Sequence, residues 1–238
     1  MADPARIVKR FWKSVDVVAE GERHGIALDG RPVRTPGRVP LALPGRALAE
    51  GIAEEWRAVG ETIDPAAMPL TGLANAAIDR VGADAAGFAA TLAAYGESDL
   101  LCYRADHPDE LIARQEAAWE PHLNWAESRY DVRFARTSGV MHVAQPAETL
   151  ARLSDSVVSR SAFELAALYP LVTITGSLVL ALALVEGATD ADRAWAAANL
   201  DEDWQAEQWG EDDLAAKARA HKRKSYDAAI RFLELLRG

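Results

Sequence analysis

The sequence predicts an α+β protein in which a small N-terminal antiparallel β domain precedes a larger all-helical C-terminal domain. Two observations lead to this prediction. Residues 15–43 contain short runs of alternating apolar residues separated by turn signals, which is the pattern of strands. After residue 70, apolar residues instead recur at helical spacing between capping residues, glycines and prolines. We place the domains at residues 1–70, with one long helix in addition to the strands, and at residues 71–238.

Length and composition indicate a folded globular protein. Half of the 238 residues are hydrophobic, which is enough for a sizeable core. The formal net charge of -10 argues against nucleic acid or an anionic membrane as the main partner. The single cysteine, Cys102, excludes an intrachain disulfide and indicates a reducing compartment. Because the N-terminus has no apolar signal-peptide core, we expect no secretion and a reducing compartment such as the cytoplasm.

Turn signals organise the first domain. Asp29-Gly30 predicts a two-residue hairpin turn, and residues 35–37 predict a second turn before a last strand at residues 39–43. The helix that follows carries Trp56 on its apolar stripe. We expect Trp56 to be a core residue that joins this helix to the strands.

Helices are predicted almost throughout the second domain. Ser98 or Asp99 caps a short helix, and Pro121 is expected to break or kink a longer one. A stray strand or hairpin could form from residues 132–134 and 140–143, where apolar residues alternate. The later helices are expected at about residues 147–160, 163–168, 171–185, 190–208 and 212–236.

No charged residue lies between Glu164 and Glu186, a length close to that of a membrane span. A buried helix pair explains this segment better, because Pro170 and Gly176 interrupt it and because acids rather than Lys or Arg flank it. We therefore expect no insertion into a membrane.

The segment from Leu200 to Asp213 combines seven acids with two tryptophans and contains no Lys or Arg. At helical spacing its apolar side can dock on the core while Asp201, Gln205 and Gln208 lie on a neighbouring face. Two interpretations are open. The segment is either an amphipathic helix with a solvated acidic face or an acidic patch that binds a partner.

A search for catalytic motifs finds little. The sequence contains no P-loop, dinucleotide-binding fingerprint, zinc-protease motif or serine-hydrolase elbow. None of the five histidines lies three or four residues from another, so a helical histidine pair for a metal is excluded. His122 with Glu116 or Glu120 could ligate a metal, although packing beside neighbouring tryptophans is the simpler interpretation. Cys102 lies in an apolar setting that indicates a buried structural thiol. We predict no catalytic residue, no metal and no cofactor.

Several short segments together resemble one known family. They are LDGRPVRTP (28–36), EW (55–56), MPLT (68–71), LAN (73–75), DLLCYR (99–104), WEP (119–121), GS (176–177) and LDEDWQAEQWG (200–210). In this order and spacing they resemble the assembly chaperones of the F-type ATP synthase alpha subunit, which are found in mitochondria and in some bacteria. The resemblance runs through most of the chain, from about Phe11 to Leu236.

The resemblance implies a chaperone without catalytic activity, which binds the unassembled alpha subunit and prevents its aggregation. It also implies that the acid after the first Leu of the last segment is important for function. That acid is Asp201 here, where Glu is common, and we expect it on the exposed side of its helix. The expected partner-binding residues are Asp201, Glu202, Gln205, Gln208 and Trp209, with Trp209 as the aromatic anchor. We expect a monomer, and the alternative function is a small-molecule enzyme that uses an acidic, Trp-rich cleft.

Overall fold

The computed structural model describes residues 8–139, 141–210 and 212–238. Contacts divide the chain into two compact units. Of the described residues, the first unit takes those up to Ala83 together with Arg231–Gly238, and the second unit takes Asp84–Ile230. The boundary predicted from the sequence lies earlier, after residue 70.

The first unit contains a three-stranded antiparallel sheet. Strands β1 (Val15–Glu20), β2 (Arg23–Leu28) and β3 (Arg31–Pro32) follow one another in the sheet in chain order. Between β2 and β3, Asp29 and Gly30 have φ angles of 48° and 76°. These left-handed angles are those of a type I′ hairpin turn, so the predicted turn is confirmed.

The predicted strand at residues 39–43 is wrong. This segment makes only isolated bridges, which pair Arg34 with Pro40 and His24 with Leu43. Pro40 has no N–H and cannot donate to a ladder. Leu41 and Leu43 are nevertheless 1% and 0% exposed. The alternation of Leu41 and Leu43 therefore reflects burial of their side chains and not continuous strand pairing.

In the described part of the first unit, two α-helices follow the sheet before residue 77. Helix α1 (Arg46–Ala58) packs on β1 and β2, and α2 (Pro69–Ala76) follows after an extended connection. Glu55 joins the two helices, because its carboxylate accepts from the backbone N–H of Leu70 at 2.7 Å and of Thr71 at 2.8 Å. These are unpaired N–H groups of the first turn of α2, so Glu55 caps that helix from a distance in sequence.

Trp56 is half-buried and does not lie in the core, contrary to the prediction. Its ring packs edge-on against Trp12, with ring centroids 5.2 Å apart. Trp12 is the deeper ring at 3% exposed, and Leu48 and Ile52 supply the fully buried side of α1. Trp56 therefore covers Trp12 at the margin of the core.

The second unit is mainly helical. Its helices are α3 (Ala85–Ala93), α4 (Asp109–Tyr130), α5 (Ala147–Val158), α6 (Ala162–Thr175), α7 (Leu178–Glu186), α8 (Ala191–Ala198), α9 (Leu200–Trp209) and α10 (Asp213–Arg237), the last of which continues into the first unit. Pro121 lies inside α4 and Pro170 inside α6. The predicted helix end before Pro170 is therefore wrong, and the single helix predicted at residues 190–208 is divided at Asn199 into α8 and α9.

The second unit also contains one short strand pair. Strands β4 (Tyr103–Arg104) and β5 (Thr137–Ser138) are parallel. The predicted hairpin is wrong for residues 132–134 and 141–143, which form no strand. Val140, which was part of the prediction, lies outside the described residues. The α+β prediction is confirmed, with this strand pair as a small addition to the helical half.

Helix α7 forms the centre of the second unit. Residues Leu178–Val185 are all buried, and the helix packs against α4, α6 and α8. Asp99, 80 residues earlier, accepts from the backbone N–H of Val179 at 2.9 Å and helps to cap this helix. The uncharged segment is therefore a buried helix pair, α6 and α7, that turns at Gly176. Within the described ranges, no helix has the length and apolar character that a membrane crossing requires.

Candidate functional site

The acidic segment begins with α9, and helices on either side supply cations to acids of this helix. The pairs are Arg114 of α4 with Glu207 at 2.7 Å, Lys222 of α10 with Glu202 at 3.7 Å, and Arg219 of α10 with Asp203. Three of the described acids of the segment are thus paired with cations of the chain itself. This finding favours the first of the two interpretations for the acids themselves, an amphipathic helix without a dedicated acidic docking patch.

Asp201 is half-buried and interacts with α4. Its Oδ1 accepts from Nε2 of Gln115 at 2.7 Å, and Oε1 of Gln115 accepts from the backbone N–H of Ala105 at 2.8 Å. Gln115 is only 1% exposed. The expectation that Asp201 lies on the exposed side of its helix is therefore wrong, because this carboxylate is the outer end of a buried hydrogen-bonded link.

Trp204 fixes the same side of α9 to α4. The ring is 8% exposed, and the guanidinium of Arg114 lies over it with Cζ 4.6 Å from the ring centroid. Arg114 also donates to Glu207, so one side chain provides a cation–π contact and an ion pair. The apolar side of α9 is therefore docked, which leaves the opposite side available.

The available side of α9 forms one wall of a groove. Glu202, Gln205, Ala206 and Trp209 line it at spacings of three, four and seven residues, which places them on one helical face. The other wall comes from α10 at the same spacings, through Ala215, Ala218, Arg219 and Lys222. The groove is open and has a volume of about 450 Å³.

Two large apolar side chains are exposed at the end of α9 and the start of α10. Trp209, the last residue of α9, is 80% exposed, and Leu214, in the first turn of α10, is 74% exposed. Gly210 ends α9 with a φ of 86°, a conformation that favours glycine. Apolar side chains of this size at this exposure are candidates for contact with another molecule.

The five partner-binding residues predicted from the sequence thus do not all lie at the groove. Glu202, Gln205 and Trp209 line the groove, and Gln208 is exposed on the same helix but is not a lining residue. Asp201 belongs to the link with α4. Sequence reasoning missed the contribution of α10, because residue spacing within α9 does not show which element becomes its neighbour.

A second groove bears on the alternative function of a small-molecule enzyme. It lies between α4 and α8, has a volume of about 580 Å³, and includes His122, Trp125 and Asp203. Burial, followed by the nearby charge of Arg193, lowers the pKa of His122. Asp203 is the single acid among the described residues that line this groove, and it is already paired with Arg219. The arrangement offers no pair of carboxylates for acid–base chemistry.

Metal and thiol chemistry receive no support from the described part of the chain. Within it, no group of three or more His, Cys, Asp or Glu side chains is placed to hold a metal ion. Cys102 is fully buried, and burial, with the nearby charge of Asp99, raises the pKa of its thiol to about 12. The prediction of a buried structural thiol is confirmed.

This architecture recurs in known proteins of one family. The family described as ATP12 chaperone protein matches residues 9–127. The crystal structure of Atp12 from Paracoccus denitrificans matches with a TM-score of 0.92 at 44% sequence identity, over 96% of this chain and 98% of that chain. The chain belongs to the ATP12 chaperone family.

Two further relatives agree with this assignment. A mutant form of P. denitrificans Atp12p matches with a TM-score of 0.93 at 44% identity, over 96% of this chain and 98% of that chain. Protein atp12, mitochondrial, of Schizosaccharomyces pombe is 25% identical over 219 residues, which are 87% of this chain and 75% of the relative. The family predicted from the sequence, a chaperone of ATP synthase assembly, is confirmed.

The structure also explains several segments that carry the ATP12 resemblance. Glu55 of one segment caps the helix that begins in the next, and Asp99 caps α7 next to Gly176-Ser177. These segments hold the fold together through carboxylates that accept from backbone N–H groups. The segment at residues 200–210 differs, because its Trp209 is largely exposed.

Proposed function

We propose that this ATP12-family chaperone binds the unassembled alpha subunit of F-type ATP synthase and prevents its aggregation while the catalytic head is assembled. The observation that carries the proposal is the 80% exposure of Trp209 beside an open groove, within the segment that the family resemblance singles out. Large aromatic side chains are preferred anchors of protein interfaces.

The proposed activity consists of covering a surface and requires no chemical step. An unassembled subunit exposes apolar surface that its neighbour will later bury, and such surface promotes aggregation. We assign the contact with the alpha subunit to Glu202, Gln205, Gln208 and Trp209. Asp201 supports this face by holding α9 on α4. The chaperone would work in the bacterial cytoplasm, or in the mitochondrial matrix if the chain is a mature eukaryotic protein.

Light scattering tests the proposal. Purified alpha subunit is diluted from denaturant alone, with one equivalent of this protein, or with one equivalent of an unrelated acidic protein. We expect this protein to suppress the rise in scattering at stoichiometric amounts and the unrelated protein to leave it unchanged. Equal scattering in all three samples would contradict the proposed function.

A further inference from the structure

We infer that the groove between α9 and α10 receives an apolar segment of the partner, so that recognition at this site is hydrophobic and not electrostatic. The inference rests on the proposed function and specifies the chemistry of the alpha-subunit surface that docks there. It replaces the interpretation of the segment at residues 200–213 as an acidic patch that binds a partner.

The charges of the groove are the first support. Among the described residues, four charged side chains line it, and each has a partner within the chain. Lys222 pairs with Glu202 at 3.7 Å, Arg219 pairs with Asp203, and the carboxylate of Asp212 accepts from the backbone N–H of Ala215 at 3.0 Å. A charged peptide would lose hydration on entering the groove and would have to compete with these internal partners.

The shape and composition of the groove are the second support. Ala206, Ala215 and Ala218 leave room between the two helices, since their side chains end at Cβ. Trp209 at the end of α9 and Leu214 at the start of α10 add exposed apolar surface. Small residues within a groove, with large apolar residues beside it, suit a bulky aliphatic or aromatic side chain presented by an apolar face of the partner.

Trp209 provides a direct probe of occupancy. Trp12, Trp119, Trp195 and Trp204 are between 1% and 8% exposed, and Trp56 and Trp125 are half-buried. Acrylamide should therefore quench Trp209 more strongly than the other tryptophans. The difference in fluorescence between the parent and Trp209→Phe isolates its signal. We expect purified alpha subunit to protect this difference signal from quenching and to shift it to shorter wavelength.

Binding measurements then separate hydrophobic from electrostatic recognition. We expect Trp209→Ser and Leu214→Ser each to weaken binding of the alpha subunit by about tenfold or more. Val158→Ser is the matched control, because Val158 is 53% exposed at the end of α5 and lies outside the groove, and we expect it to bind like the parent. Raising the salt concentration from about 50 to about 500 mM, which shortens the Debye length about threefold, should change Kd little.

The outcomes distinguish the inference from the proposed function. If the parent binds the alpha subunit and Trp209→Ser binds equally well, or if affinity falls steeply with salt, the hydrophobic groove is overturned while the proposed function stands. If the parent does not bind the alpha subunit, the proposed function fails. If ultracentrifugation shows a dimer of the parent that Trp209→Ser abolishes, the groove belongs to a second copy of this chain and the inference is overturned.

Discussion

Asp99 shows how a single buried carboxylate can make stability depend on pH. The residue is 0% exposed, and burial raises its pKa from the ordinary 3.8 to about 6, although hydrogen bonds from Val179, Ser177 and Leu101 oppose the rise. Because the folded pKa is higher than the unfolded one, the folded state binds the proton more tightly. The resulting contribution to stability is complete below about pH 4 and is lost as the pH rises through about 6.

We expect Asp99 to lower the free energy of unfolding by up to about 3 kcal/mol between about pH 4 and about pH 7. Asp99→Asn removes this titration. The difference in free energy of unfolding between parent and variant should therefore change by up to about 3 kcal/mol between about pH 4 and about pH 7. Urea unfolding at several pH values measures it. Asp84→Asn, at the exposed cap of α3, is the control that removes a capping carboxylate outside the core. A parent–variant difference that does not vary with pH would show that the N–H bonds outweigh burial.

At the scale of elements, the attachment of α9 to α4 determines how its exposed face is presented. Asp201→Lys removes the acceptor of Gln115 and places an ammonium beside a buried amide. We expect the free energy of unfolding to fall by about 1–3 kcal/mol. For a chain of this size, Tm should fall by about 2–4 °C for each kcal/mol. Thermal melts measure the effect, with Gln208→Lys as a control on the exposed side of the same helix.

A double-mutant cycle tests the link itself. Gln115→Leu breaks both of its hydrogen bonds, so Asp201→Lys should cost less in that background than in the parent. The coupling should be about 0.5–3 kcal/mol. Additive losses of stability would mean that Asp201 acts independently of Gln115. If Asp201→Lys had the Tm of the parent, the result would support the exposed position that was predicted from the sequence.

The elements that were predictable are those specified by local signals. Asp29-Gly30 requires left-handed angles that few residue pairs adopt, and Asp99 caps its short helix by accepting from the N–H of Leu101. Local signals fail where packing decides. Pro170 stays inside α6 and Asn199 divides the helix predicted at residues 190–208, because tertiary contacts outweigh intrinsic preference.

The candidate site was predictable only in part, for the same reason. Helical spacing is consistent with Glu202, Gln205 and Trp209 on one face, but the prediction grouped Gln205 with Asp201 and Gln208 instead. It does not reveal that α10 supplies the other wall of the groove. Nor does it reveal that Gln115, 86 positions earlier in the chain, donates a hydrogen bond to Asp201. Both facts depend on which elements become neighbours in the folded chain.

At the scale of the whole molecule, charge and motif content argue against nucleotide chemistry. The chain carries a formal net charge of -10 and no glycine-rich loop of the kind that cradles phosphates. We expect isothermal titration calorimetry with Mg-ATP to detect no binding in the micromolar range. A saturable heat in that range would reopen the enzymatic alternative and would direct attention to the groove between α4 and α8.

Helix α10 has a consequence for how the protein is made. Its residues Arg231–Gly238 belong to the first unit, where Leu235 fills the space over Gly51 so closely that an added Cβ would lie 2.5 Å from its Cδ1. A nascent chain therefore carries an incomplete N-terminal unit while the ribosome synthesises about 150 further residues, which takes about 8–30 s at about 5–20 residues per second. The first unit to be translated is the last to be completed, so this chaperone passes through its own interval of uncovered apolar surface during synthesis.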